Sequence, residues 1–286
     1  MKEKTFTVDK TDSLLNVMRK TFSDTSGKKI KSYIKYKMVW VDGKIVTNSS
    51  TIVRRGSEVH VFFSKRVIDE GSLDIIYEDK DIIAINKPAG LLSIANSKEK
   101  EITAFRMVSD YIKEANTGAK LFVVHRLDQA TSGVLLFAKN EKMQKMLQKS
   151  WNEIVLKREY VAVVEGKMNK SGTIESYLKM NHFQIVHSTK DKEHGWLAIT
   201  HYKLSKFKNG YSLLEVNIDT GRRNQIRVHM SESGHPVTGD KKYKAKKNPI
   251  NRLALHASKL HLVDPRTGGI LQLETEAPQE ILDLVL

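Results

Sequence analysis

The sequence predicts an α+β protein: a mixed, mainly antiparallel β-sheet with flanking helices, preceded by a small N-terminal α/β unit. Three observations carry this. Short apolar strand-like runs dominate the chain, from Ile82-Ile83-Ala84-Ile85 to Tyr211-Ser212-Leu213-Leu214. Helical stretches arrive irregularly rather than after each strand, which argues against a doubly wound parallel sheet. The first 65 residues differ in charge from the rest, with 14 Lys or Arg against 6 Asp or Glu, a net of +8 out of +15 overall. We therefore expect units at 1–65 and 75–286, joined by a polar connection at 66–74.

Within the N-terminal unit, Leu14, Leu15 and Met18 recur at helical spacing after a capping candidate, Asp12 or Ser13. A second helix is expected over Lys28 to Lys37, with Ile30 and Ile34 on one face and Lys28, Lys29, Lys31, Lys35 and Lys37 around the rest. Val39-Trp40-Val41, Asp42-Gly43 and Lys44-Ile45-Val46 read as a hairpin by their turn chemistry. Glu58 to Phe62 alternates as a last strand.

In the larger unit the strand Asp81 to Asn86 ends at Lys87-Pro88-Ala89-Gly90, because proline cannot continue a central strand. Thr103 to Lys113 is a helix by its apolar stripe. Phe122 to Val124 and Val134 to Phe137 are strands around a polar loop, and Asn140 caps the next helix. Tyr160 to Val164, Leu197 to Tyr202 and Tyr211 to Ile218 are further strands. A helix from about Arg223 to Ser233 closes at Gly234.

Composition narrows function. A hydrophobic share of 40% and a charged share of 28% suit a globular protein. No apolar run approaches the ~18 residues of a membrane helix. Met1-Lys2-Glu3-Lys4-Thr5 leads into no apolar core, so it does not read as a secretory signal. Cysteine is absent, which removes disulfides, thiolate metal sites and cysteine nucleophiles. A cytoplasmic monomer with no cofactor and no metal is the expectation. The net charge of +15 makes a polyanion, nucleic acid before membrane, the default partner.

The densest polar constellation is His125-Arg126-Leu127-Asp128-Gln129-Ala130-Thr131-Ser132-Gly133, between two apolar strands. Taken alone it is a polar turn with a local Arg–Asp pair, or a loop that presents Asp128 in a cleft. A second cluster, Thr220-Gly221-Arg222-Arg223-Asn224-Gln225-Ile226-Arg227-Val228-His229, follows a strand and opens a helix, where anions are favoured. Arg227 against Asp128 would hold that carboxylate ionised; the alternative is a structural ion pair.

His125 to Asp128 with Thr131-Ser132-Gly133 resembles the signature of the RluA family of pseudouridine synthases. Asn86-Lys87-Pro88-Ala89-Gly90 is similar to the family's first motif, and Lys157 to Ala162 to its tyrosine motif. Thr220-Gly221-Arg222 with Gln225 to His229, then Gly234-His235-Pro236 and Gly239-Asp240, resembles its arginine motif. The lysine-rich second helix, Val41-Asp42-Gly43-Lys44 and Arg55 to Val59 are similar to an S-four-type RNA-binding domain; a small basic domain without that role is the alternative.

The resemblance implies an isomerase that converts uridine in structured RNA, rRNA before tRNA, to pseudouridine. It makes Asp128 the essential carboxylate, Tyr160 the ring that packs on the flipped uracil, and Arg227 the partner of Asp128. Arg126 contacts RNA, and Leu127 and Ile226 line a dry pocket. Lys87 and Arg222 are expected beside the substrate, and the five lysines of the second helix on RNA. Two departures stand out: Arg223-Asn224 where the family has Thr-His, and Asp264-Pro265 where it has His-Pro. Two other classes compete. A non-catalytic RNA-binding factor would tolerate decay at Asp128, Tyr160 or Arg227, and a hydrolase would want a second carboxylate near Asp128.

Overall fold

The apolar runs form strands whose pairing is set by which face each can bury. The structure, a computed structural model, describes residues 3–35, 38–62, 73–95 and 103–286. It divides into two compact units, 1–72 and 73–286. Of the expected polar connection, residues 66–72 lie outside the described residues, and Leu73 and Asp74 belong to the second unit.

The first unit runs β1 (Glu3–Thr7), β2 (Asp12–Ser13), α1 (Leu14–Thr21), α2 (Gly27–Lys35), β3 (Val39–Val41), β4 (Lys44–Ile45), β5 (Ile52–Val53) and β6 (Glu58–Phe62). Its sheet has the order β1-β6-β3-β4. Ser13 caps α1, its side chain accepting from the Asn16 N–H, which satisfies one of the orphan donors of the first turn. Leu14, Met18, Ile30 and Ile34 turn inward onto Val39, Val59 and Val61, one core for two helices and a sheet. Lys29 and Lys31 project from the exposed side of α2. Lys37 and the side chains of Lys28 and Lys35 lie outside the described residues.

The second unit runs β7 (Ile75–Glu78), β8 (Ile82–Lys87), α3 (Ala104–Ala115), β9 (Phe122–Val123), β10 (Ser132–Ala138), α4 (Glu141–Lys149), α5 (Trp151–Ile154) and β11 (Val155–Glu165). There follow β12 (Ser171–Met180), β13 (Val186–Thr189), β14 (Trp196–Lys208), β15 (Tyr211–Ile218), α6 (Gln225–Glu232), β16 (Leu255–Val263), β17 (Ile270–Glu274) and α7 (Gln279–Leu282). The sheet order is β13-β12-β14-β15-β11-β16-β10-β8-β7, with β17 on β16 and β9 on β10. This is the mixed, mainly antiparallel α+β architecture the sequence predicts.

Third from the β7 end, β10 is buried along its whole length, and apolar packing covers both faces. Val134 and Leu136 join one cluster with α4, while Leu135 and Phe137 join another with α3. Burial on both faces is why β10 reads as a continuous apolar run rather than an alternating one. One pairing among these strands is parallel, β10 with β16, and it is short: Ser132 opposite His256 and Gly133 opposite Ala257. Gly133 has φ +116, and a Cβ there would stand 2.1 Å from the Ala257 carbonyl oxygen. Glycine is what lets the two backbones meet. Asp264, one of the two departures, is tied to Arg266, which also holds Asp79 and Asp81, so the turn is locked by charge away from the sheet centre.

Candidate active site

The parallel pairing brings three segments together. Ala257 pairs with Gly133 on one side and with Tyr160 of β11 on the other. The loop that enters β10 is thereby held close to Tyr160. Residues on both sides of Asp128 are fastened. The Leu127 N–H donates to Ser93 Oγ at 3.1 Å, whose hydroxyl donates back to the Leu127 carbonyl at 2.8 Å. The Gln129 carbonyl accepts from the Gly90 N–H at 2.8 Å and from Lys87 Nζ at 3.3 Å. His125 accepts the Leu136 N–H on Nε2 at 3.0 Å and stacks on Trp151. Burial pushes its pKa down to about 4, so it serves as a neutral acceptor.

Asp128 opens into a cavity of about 80 Å³ lined by Arg126, Leu127, Tyr160, Arg222, Ile226 and Arg227, among others. All three residues expected to be catalytic are there, and so are four of the five expected to bind substrate. Lys87 is the exception. It is fully buried, and its ammonium donates to the carbonyls of Pro88 at 2.9 Å and Leu91 at 2.7 Å besides that of Gln129. Three acceptors match its three protons, so Lys87 positions the two loops rather than meeting substrate. Burial pulls its pKa down to about 7, opposed by the Asp128 charge.

Arg227 is organised differently from a simple pair with Asp128. Its Nε and Nη2 form a bidentate clamp on Asp240, at 2.6 and 2.8 Å. Its Nη1 donates to Asn224 Oδ1 at 3.1 Å and reaches Asp128 Oδ2 at 3.5 Å. Its guanidinium also lies over the Tyr243 ring at 5.1 Å. Burial is the largest single influence and works against the charge, but the Asp240 bonds and charge, with the Asp128 charge, together raise the pKa of Arg227. Asp240 is thus the main counter-charge, with Asp128 the second and more weakly bonded one. Asp240 is buried and caps the following turn through the N–H groups of Lys242 and Tyr243.

Asp240 is the member of this cluster to which the sequence assigns no role, although it lies in the Gly239-Asp240 pair of the arginine motif. The available signal is a buried-helix arginine facing a single loop carboxylate; such a guanidinium needs more acceptors than one. Asn224, one of the departures, also finds its place. It has φ 56, which asparagine tolerates better than most residues. Its amide donates to the Tyr243 hydroxyl at 3.0 Å while its carbonyl oxygen accepts from Arg227.

Tyr160 is half-buried, with its ring in the cavity wall. Burial, reinforced by the Asp128 charge and opposed by Arg158, pushes its pKa up to about 12. It is a neutral phenol throughout the ordinary pH range. Ile218, Ile226, Leu127 and Leu255 complete an apolar wall. The site therefore joins one carboxylate, a shared guanidinium and one aromatic face, with an apolar wall on one part of the lining and Arg126, Arg222, Asn224 and Gln225 on the rest. Arg126 is exposed at its mouth, and Arg223 and Lys242 are exposed nearby. Among the described residues no three His, Asp or Glu side chains converge as a metal site. His229 bonds Thr200 and Ser176, and His256 bonds Ser132.

Comparison with known proteins shows what the chain is similar to. The model of a family described as RNA pseudouridylate synthase matches residues 81–232. "Uncharacterized RNA pseudouridine synthase YhcT" of Bacillus subtilis is 34% identical, over 93% of this chain and 90% of that protein. "Ribosomal large subunit pseudouridine synthase D" of Escherichia coli K12 is 30% identical, over 92% of this chain and 86% of that protein. The solved structure of human RNA pseudouridylate synthase domain containing 4 superposes with a TM-score of 0.61 at 22% identity, covering 74% of this chain and 92% of that one.

Proposed function

This chain belongs to the RNA pseudouridylate synthase family, of the RluA type, and from that premise we propose that it isomerises uridine in structured ribosomal RNA with Asp128 as the catalytic carboxylate. The observation that carries the reading is the meeting of Asp128, Tyr160 and Arg227, from three separate segments, in one cavity.

The reaction breaks the bond between N1 of uracil and C1′ of ribose, turns the base, and joins C5 to C1′. A proton leaves C5 and N1 gains one, so substrate and product are isomers. The target base must leave its stack, because the bond is out of reach inside a helix. Tyr160 then offers the flipped uracil a face, and Arg126 occupies the space near the cavity mouth. Asp128 lies against the ribose link, where it stabilises the charge that develops at C1′. Arg227 holds Asp128 from the other side without matching it one to one, since most of its charge is answered by Asp240. Leu127, Ile218 and Ile226 keep water from the detached base.

The preference for ribosomal RNA rests on the relative named for the large ribosomal subunit, while the net charge of +15 supports a polyanionic partner in general. The N-terminal unit, with Lys29 and Lys31 exposed on one helix, adds a second RNA-binding surface in this reading. Mapping pseudouridine in rRNA and tRNA from cells with and without the protein tests it, a site lost only in tRNA overturning the rRNA assignment. Asp128→Asn should bind RNA within about twofold of wild type. It should lose at least the ~10²–10⁴-fold that a positioned acid–base group supplies. Normal turnover by that variant sinks the mechanism.

A further inference from the structure

A second cavity, of about 300 Å³, adjoins the first and shares Gly221 and Arg222 with it. The register explains its lining. Leu178 of β12 is opposite Trp196 of β14, and Met180 is opposite Val186 of β13. Directly opposed residues share a face of the sheet, so these four side chains form one apolar surface. Leu178 and Val186 are buried in a cluster with Val228 of α6 and Tyr243. Met180 and Trp196 are left 43% and 57% exposed. Every charged group in the lining is a guanidinium: Arg222, held by the Leu197 carbonyl at 2.9 Å, and Arg223, whose Nη1 lies 3.3 Å from Met180 Sδ.

An open aromatic face backed by aliphatic side chains and edged by two arginines is matched by a planar ring that stacks through its π-face and is joined to an anion. A nucleobase with its phosphate has that chemistry. Size agrees, since the volume is at the lower end of ligand pockets, ~300–1,000 Å³. The shared Gly221–Arg222 wall selects which base: one close to the uridine that enters the first cavity. Flipping that uridine removes a stacking partner from its neighbours, and a second stacking surface recovers part of the loss.

We propose that this cavity receives a second nucleobase of the RNA, flanking the target uridine, stacked on Trp196 with its phosphate held by Arg222 and Arg223. The inference rests on the reading of the Asp128 cavity as the uridine site. It makes Trp196 a determinant of which uridines are accepted rather than of the chemical step.

The test uses the full chain and a hairpin RNA carrying the mapped uridine, with wild type, Trp196→Ala and Trp196→Phe. Each flanking nucleotide is replaced in turn by an abasic residue. Trp196→Ala should raise KM about 5- to 150-fold, as loss of one stacked base does, with kcat within twofold. Trp196→Phe should keep most of the wild-type KM. At one flanking position the abasic RNA should cost wild type a similar factor and cost Trp196→Ala nothing more. An unchanged KM in Trp196→Ala overturns the proposal, and so do effects that multiply at every position. The exposure of Trp196 leaves the core intact in both variants, and matching melting temperatures would verify this. If wild type converts no RNA, the reading of Asp128 fails. The same comparison made on Kd still decides the second site.

Discussion

Arg227 shows how much a single side chain is decided by its neighbours. Its forked donors can satisfy two carboxylates, and the shorter bonds go to Asp240 rather than to Asp128. Asp240→Asn removes the charge that makes a buried guanidinium tolerable. Breaking one side of a buried pair typically costs ~3–5 kcal/mol. The variant should melt well below wild type and lose kcat tenfold or more, with RNA Kd little changed. A variant with normal kcat would show that Arg227 needs only Asp128. Part of this is legible in the sequence, since Arg227 and Asp128 belong to recognisable motifs. The clamp is not, because a Gly-Asp pair in sequence looks like any turn. Lys87 is the converse case. Its motif is visible, yet nothing in the string Asn86-Lys87-Pro88 says that the ammonium turns inward onto three carbonyls.

At the level of elements, legibility follows the clarity of the apolar pattern. β10 and β15 stand out because their apolar residues are continuous or alternate. β16 escapes a sequence reading since His256 and Ser258 are buried within it and interrupt the apolar run. β12 escapes it because its residues are mostly exposed or half-buried, leaving no stripe to read. Helix α2 is visible through Ile30 and Ile34, and its lysines give a prediction of their own. Replacing Lys29 and Lys31 together by Gln should flatten the dependence of log Kd for RNA on log salt by roughly 0.7–0.9 for each phosphate no longer neutralised. An unchanged slope would remove this helix from the RNA interface. Conversion of a short hairpin at saturation should be unaffected.

For the molecule as a whole, two buried histidines and one half-buried one contribute to the response to acid. Burial lowers the pKa of His125, His229 and His256 to about 4 each, against ~6.5 in an unfolded chain. Between those values the unfolded chain binds more protons than the native one, so stability falls as pH is lowered from about 6.5 toward 4. His229 is 1% exposed and bonded on both ring nitrogens, and its share is roughly 3 kcal/mol when fully expressed. Melting temperature should drop steeply across this window, and His229→Gln should make the drop shallower. Parallel curves for the two proteins would refute the assignment.

The sequence by itself determined the fold class, the family, and the inventory of the site: one carboxylate, one tyrosine and one arginine within four motifs in a fixed order. The fold class follows from residue types and spacing; the family and the three residues follow from the resemblance of those motifs, which needs no coordinates. It took the tertiary structure to show that Asp240 holds Arg227, that Lys87 faces inward, and that Trp196 is exposed beside the Asp128 cavity. Each of these depends on register between strands or on loops that meet from distant parts of the chain. The short β10–β16 pairing at Gly133 and Ala257 is another such meeting, and it holds the Asp128 loop close to Tyr160.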